Sequence, residues 1–175
     1  MHRFFQCLQF KGRKTILAGM TAAALSLGSA TGFTAERVGD FALLDQDGRY
    51  HHMAWYDNNK AVALLVQASG DVATEQSIES YSQLKAQYED QGIVFFMINP
   101  LGEQRAAVKS EAARLGVDIP VLIDDAQLIS EAIGINKTGE AFLFDPKSFR
   151  VVYRGPSGQP LGDAIAEVVA GKAVS

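Results

Sequence analysis

Two uninterrupted apolar runs, Ala61-Val-Ala-Leu-Leu-Val66 and Ile93-Val-Phe-Phe-Met-Ile98, organise this chain. Neither alternates with polar positions, so each predicts a strand covered on both faces, as in a parallel sheet. Between them Ile78, Tyr81, Leu84 and Tyr88 recur at three- and four-residue spacing, the stripe of an amphipathic helix that stops near Gln91-Gly92. Upstream, Phe41 to Leu44 and Arg49 to His52 flank the turn cluster Asp45-Gln46-Asp47-Gly48 and read as a hairpin. Downstream, Glu103 to Leu115 reads as a helix closed by Gly116, and Ile119 to Ile123 as a third strand. The proline near the start of that strand predicts an edge position.

A short helix follows, capped by Asp125 and ending at Ile133-Gly134. Ala141 to Phe144 and Val151 to Tyr153 form a closing hairpin around Asp145-Pro146-Lys147, and Leu161 to Val169 is a last helix. Strands that alternate with helices and end in a hairpin predict an α/β fold, a three-layer sandwich with a mixed sheet and helices on both faces.

At 175 residues the chain fits one domain with a full core. Its first thirty residues differ in character. Arg3, Lys11, Arg13 and Lys14 precede an apolar run from Thr15 to about Ala30, and Gly28-Ser29-Ala30 offers small residues for cleavage. This is the pattern of a bacterial secretory signal. The expected division is a signal peptide over 1–30, a linker over 31–37 and one domain over 38–172, with a retained membrane anchor as the alternative. The product is then periplasmic or secreted, with no membrane attachment after cleavage. Without the leader, 12 basic residues face 20 acidic ones, which argues against nucleic acid as a partner. The only cysteine is Cys7, inside the leader, so the body can form no disulfide of its own.

Several short phrases then carry a resemblance. They are Val38-Gly39-Asp40-Phe41 with Leu44-Asp45 and Asp47-Gly48; the run 61–66 followed by Gln67; Ile119-Pro120-Val121-Leu122 with Asp124-Asp125; Ala132-Ile133-Gly134; Phe142 to Pro146; and Val152-Tyr153-Arg154-Gly155. In this order and spacing, over about 38–156, the chain resembles the thioredoxin-like superfamily. It is most similar to the peroxiredoxin-like redoxins of the alkyl hydroperoxide reductase and thiol-specific antioxidant group.

The resemblance implies a thioredoxin-like fold and also places the active site, which is missing. Asp71 stands where the attacking cysteine belongs, and Ala68 where the threonine three residues earlier belongs. Asp71 to Thr74 replaces a Cys-x-x-Cys with Asp-Val-Ala-Thr. Gly139 takes the place of the cis-proline, and the peroxide-binding arginine has no counterpart beside Gly139 and Glu140. A carboxylate cannot pass through sulfenate or disulfide states. What remains is a candidate groove of Gly70, Asp71, Thr138, Gly139 and Glu140, with no catalytic residue and no cofactor expected.

The expected function is therefore that of an exported redoxin-fold protein without thiol catalysis, binding a protein partner in its compartment or a small ligand. Alternatives are a thiol-independent or partner-assisted oxidoreductase, and copper handling. Asp71 reads first as a helix N-cap. His51-His52-Met53 alone suggests metal, but neighbouring strand residues point to opposite faces and cannot easily share an ion. Glu140 is expected at a solvated strand end. Arg105, Lys109 and Arg114, with Glu103 and Glu111, are expected on a solvated helix face, and Trp55 and Tyr56 packed under the first hairpin.

Overall fold

The computed structural model describes residues 37–175, which belong to one compact unit. The expected signal peptide over 1–30, Cys7 and nearly all of the expected linker lie outside the described residues. The strands are β1 (Ala42–Asp45), β2 (Tyr50–His52), β3 (Ala61–Val66), β4 (Ile93–Asn99), β5 (Val121–Ile123), β6 (Glu140–Asp145) and β7 (Arg150–Pro156). The helices are α1 (Val72–Tyr88), α2 (Arg105–Leu115), α3 (Leu128–Ile133) and α4 (Gln159–Val169), with a 3₁₀ turn over Met53–Tyr56.

All seven strands form one mixed sheet in the order β2-β1-β5-β4-β3-β6-β7. The β3–β4 and β4–β5 pairs are parallel and the others antiparallel. The two apolar runs are its centre, and every residue of β3 is buried. Their side chains split by parity, as the pleat requires. Ala61, Ala63, Leu65, Phe95 and Met97 pack with residues of α1, α2 and α4. Val62, Leu64, Val66, Phe96 and Ile98 pack with Phe41, Met53 and Ile133 on the other face. Tyr81 ties α1 to the sheet, its hydroxyl donating to the Phe96 carbonyl at 2.8 Å, and its burial pushes the phenol pKa well up.

Three local expectations need correction. β5 is an interior strand between β1 and β4, not an edge. It begins one residue after Pro120, so the missing N–H costs the ladder nothing, and the Pro120 carbonyl accepts from Met97 N at 2.9 Å. The short helix α3 is held by Asp124 rather than Asp125. The Asp124 carboxylate accepts from Ser130 N and Oγ at 2.7 and 2.6 Å, with Gln127 left-handed at the helix entry. Trp55 does not pack under the hairpin; it is 61% exposed, with its ring against Tyr50 and His52.

Candidate functional site

β3 ends at Val66, and the chain turns through Ala68, Ser69 and Gly70 before α1 begins. At this end of the sheet a helix start presents unpaired N–H groups and positive dipole. Asp71 meets them as the N-cap, accepting from Thr74 N at 2.8 Å and from Thr74 Oγ1 at 3.2 Å. Thr74 N, with the Thr138 hydroxyl next, holds the Asp71 carboxyl below the usual carboxylate range. A carboxylate so placed satisfies the donors that would otherwise stabilise an anion at this corner.

Thr138 and Gly139 reach the same corner from the segment before β6. Gly139 N donates to the Val66 carbonyl at 2.9 Å. The Gly139 φ is +71°, and a Cβ there would lie 2.9 Å from the Ala73 carbonyl oxygen. Only glycine fits both constraints without displacement. So Gly70, Asp71, Thr138 and Gly139 meet at one corner, and a shallow pocket of about 220 Å³ lies along Ala73, Gln76, Thr138, Gly139, Glu140 and Pro156.

Glu140 corrects the expectation of a solvated strand end. It is 5% exposed and accepts from Arg154 Nε and Nη2, both at 3.1 Å. Arg154 also donates to the Gly134 carbonyl at 2.8 Å and lies over the Phe142 ring. Glu140 thus lines that pocket with its carboxylate held in an internal ion pair.

The larger surprise is α2, whose polar face is not simply solvated. Glu111 is 8% exposed; its Oε1 accepts from Gly70 N at 2.9 Å, and both its oxygens accept from Arg114. Glu103 accepts from Ser69 N and Oγ and, at 3.1 Å, from Asn99 Nδ2. Asn99 also donates to Gln67 Oε1 at 3.0 Å. Two carboxylates, Glu103 just before α2 and Glu111 within it, therefore clamp the turn 69–70 next to the position where the resemblance places a reactive thiol. A thiolate beside them would be disfavoured by like charge. Arg105 and Lys109 remain exposed, as expected for that face, and Lys109 pairs with Asp47. Sequence reasoning missed the clamp because Glu103 and Glu111 look like ordinary surface residues; Gly70 following a buried strand was the one available hint.

The clamp gives a pH prediction. Hydrogen bonds from Arg114 first, and from Gly70 N next, lower the Glu111 pKa from 4.5 to about 2. The folded value is depressed, so its stabilising effect is complete above about pH 4.5 and is lost as the pH falls towards 2. Wild type should therefore exceed Glu111→Gln in stability near neutral pH, and the two urea-unfolding midpoints should converge on acidification. A constant difference down to pH 2 would contradict the assignment.

The candidate metal residues diverge. His51 goes to Asp45 and Tyr56, His52 Nε2 to Asp40 Oδ2 at 2.6 Å, and Met53 is fully buried in the core. Among the described residues no group of three or more His, Cys, Asp or Glu is arranged to hold a metal ion.

Three large apolar side chains, Val72, Leu101 and Leu128, are exposed on the segments that follow β3, β4 and β5. A cavity of about 270 Å³ opens among Val66, Pro100, Leu101, Ile135 and Thr138, with Lys137 at its wall.

Known proteins share this framework. The model of the AhpC/TSA family matches residues 34–154. The thiol-disulfide oxidoreductase ResA of Geobacillus thermodenitrificans is 29% identical over 140 residues, 75% of this chain and 79% of that protein. The crystal structure of a hypothetical protein from Sinorhizobium meliloti 1021 superposes with a TM-score of 0.70 at 25% identity, over 82% of this chain and 87% of that one. The crystal structure of peroxidoxin BcpB from Mycobacterium tuberculosis gives 0.62 at 18% identity, over 79% and 95%.

Proposed function

The chain belongs to the AhpC/TSA family, and we propose that it uses this fold to bind a partner protein rather than to carry out thiol chemistry. It acts outside the cytoplasm once a leader of about thirty residues is removed. The observation that supports this most is Asp71: a carboxylate caps α1 where the resemblance places a thiol, and residues 37–175 contain no cysteine. The rim of the same corner still displays Val72, Leu101 and Leu128 beside an apolar cavity. Exposed apolar side chains gathered at one end of a sheet suit a protein surface. The shallow pocket along Thr138 and Gly139 extends that surface towards β7.

The test is site-specific photo-crosslinking in the producing cell, with the photoreactive residue at Leu101 or Leu128 and a control at Gln91. Gln91 is exposed and precedes β4, at the opposite end of that strand. A discrete crosslinked species from the rim positions, absent from Gln91 and lost in Leu101→Asp, is the expected result. Equal crosslinking from all three positions would contradict a docking surface at the rim. If the captured partner carries a reactive cysteine pair, the partner-assisted oxidoreductase reading becomes the better one.

A further prediction concerns the missing nucleophile. Asp71→Cys should yield one titratable thiol in the folded body. It should not give efficient peroxide turnover, because Ala68 stands where the resemblance places the threonine, the arginine it places before β6 has no counterpart, and Glu103 and Glu111 hold the turn. Turnover at the rate of an ordinary thiol peroxidase by this single variant would overturn the description of the site.

A further inference from the structure

Away from this corner, β1, β2 and the 3₁₀ turn assemble a second polar array. His51 Nε2 lies 2.9 Å from Asp45 Oδ2, and His51 Nδ1 lies 2.9 Å from the Tyr56 hydroxyl. The side chain of Asp45 is 1% exposed and that of His51 14%. Burial pushes the Asp45 pKa up, but hydrogen bonds from His51, Arg49 N and Asp47 N outweigh it and the net shift is downward. An ionised Asp45 can only accept, so His51 Nε2 carries a proton. In the tautomer with its single proton on Nε2, Nδ1 accepts and Tyr56 O–H donates. In that tautomer the bonds run one way: phenol to imidazole to carboxylate. Burial, then the Asp45 charge, raises the Tyr56 pKa, so the phenol keeps its proton at neutral pH.

This is the arrangement a phenol needs to lose an electron without becoming a cation radical. We propose that Tyr56 is a redox-active tyrosine, with His51 as its proton acceptor and Asp45 as the residue that positions His51. A one-electron oxidant, such as a peroxyl radical, takes one electron from Tyr56. The O–H bond of Tyr56 breaks and an Nδ1–H bond forms on His51. Tyr56 is left as a neutral tyrosyl radical and His51 as imidazolium paired with Asp45. The peroxide anion so formed takes a proton from water, releasing hydroxide, to give hydroperoxide. An electron from a small reductant of the ascorbate class, with the proton returning from His51, restores the phenol. Trp55, exposed and next in the chain to Tyr56, lies 5.3 Å from the exposed Tyr50 ring, centroid to centroid. Phe96 lies edge-on to both His51 and Tyr56 and shields their bond from the core side.

Burial alone explains Asp45 and His51 as turn and packing residues, and the two readings separate by experiment. The full chain is oxidised with photogenerated tris-bipyridyl ruthenium(III) and the radical is followed by transient absorption and electron paramagnetic resonance. A tyrosyl signal is expected in wild type and in Tyr50→Phe, and its loss in Tyr56→Phe. His51→Phe should slow formation of the signal about tenfold, the change that about 1.4 kcal/mol makes in a rate. In wild type the rate should fall in deuterated water, since a proton moves with the electron, and this readout needs no variant to fold. An unchanged tyrosyl signal in Tyr56→Phe, or equal rates in light and heavy water, would overturn the proposal.

Discussion

Restoring the proline that the resemblance places at position 139 should destabilise the protein by roughly 3 kcal/mol or more. Gly139 has a φ of +71°, on the opposite side of zero from the −65° or so that a proline ring enforces. Its N–H donates to the Val66 carbonyl at 2.9 Å, and proline has no N–H to offer. Ring atoms would also press on the Ala73 carbonyl, which a single Cβ would already approach to 2.9 Å. Gly139→Ala separates these effects, because alanine keeps the hydrogen bond and suffers only the φ and the close approach. It should cost less than Gly139→Pro, by about 1 kcal/mol or more, the usual worth of the lost bond. Urea unfolding of the three proteins gives the comparison. A proline variant as stable as wild type would mean that this loop is free to reorganise and does not define the corner.

The second large effect is expected at Arg154. Its guanidinium supplies two of the hydrogen bonds to a carboxylate that is 5% exposed, and a third to the end of α3. Removing one member of a buried pair costs about 3–5 kcal/mol, because the remaining charge stays desolvated. Lys137, exposed and 3.6 Å from Glu140, offsets part of this. Arg154→Met should therefore lose about 3 kcal/mol. Adding Glu140→Gln to that background should recover part of the loss, since the buried charge is then gone. A single variant within about 0.5 kcal/mol of wild type, the range of ordinary surface changes, would show that Glu140 is better hydrated than its burial indicates.

The framework was legible because it rests on local patterns. The continuous apolar runs of β3 and β4 can only be satisfied by cover on both faces, and the structure supplies it. The cap at Asp71 was legible for the same reason, since an acid before a helical stripe has one common use. Misreadings came where a neighbour distant in sequence decides the outcome. Pro120 suggested an edge, but a residue just outside a strand puts no limit on where the strand sits. Asp124 and Asp125 are equivalent on paper; only the path of the chain aims the first at Ser130. Glu111 and Glu140 carry charges that sequence patterns assign to solvent. Their burial follows from Gly70 and Arg154, which lie 41 and 14 positions away. Trp55 erred in the other direction, an aromatic that the fold leaves outside.

These features converge on a redoxin fold whose reactive corner is closed by carboxylates: Asp71 on the helix start, Glu103 and Glu111 on the turn. The most direct measurement of that claim is peroxide and disulfide turnover by the purified full chain beside its Cys7→Ser variant. Both should fall at the level of the protein-free blank. Turnover in the wild type that disappears in Cys7→Ser would contradict it, because sulfur from the leader would then be completing the site.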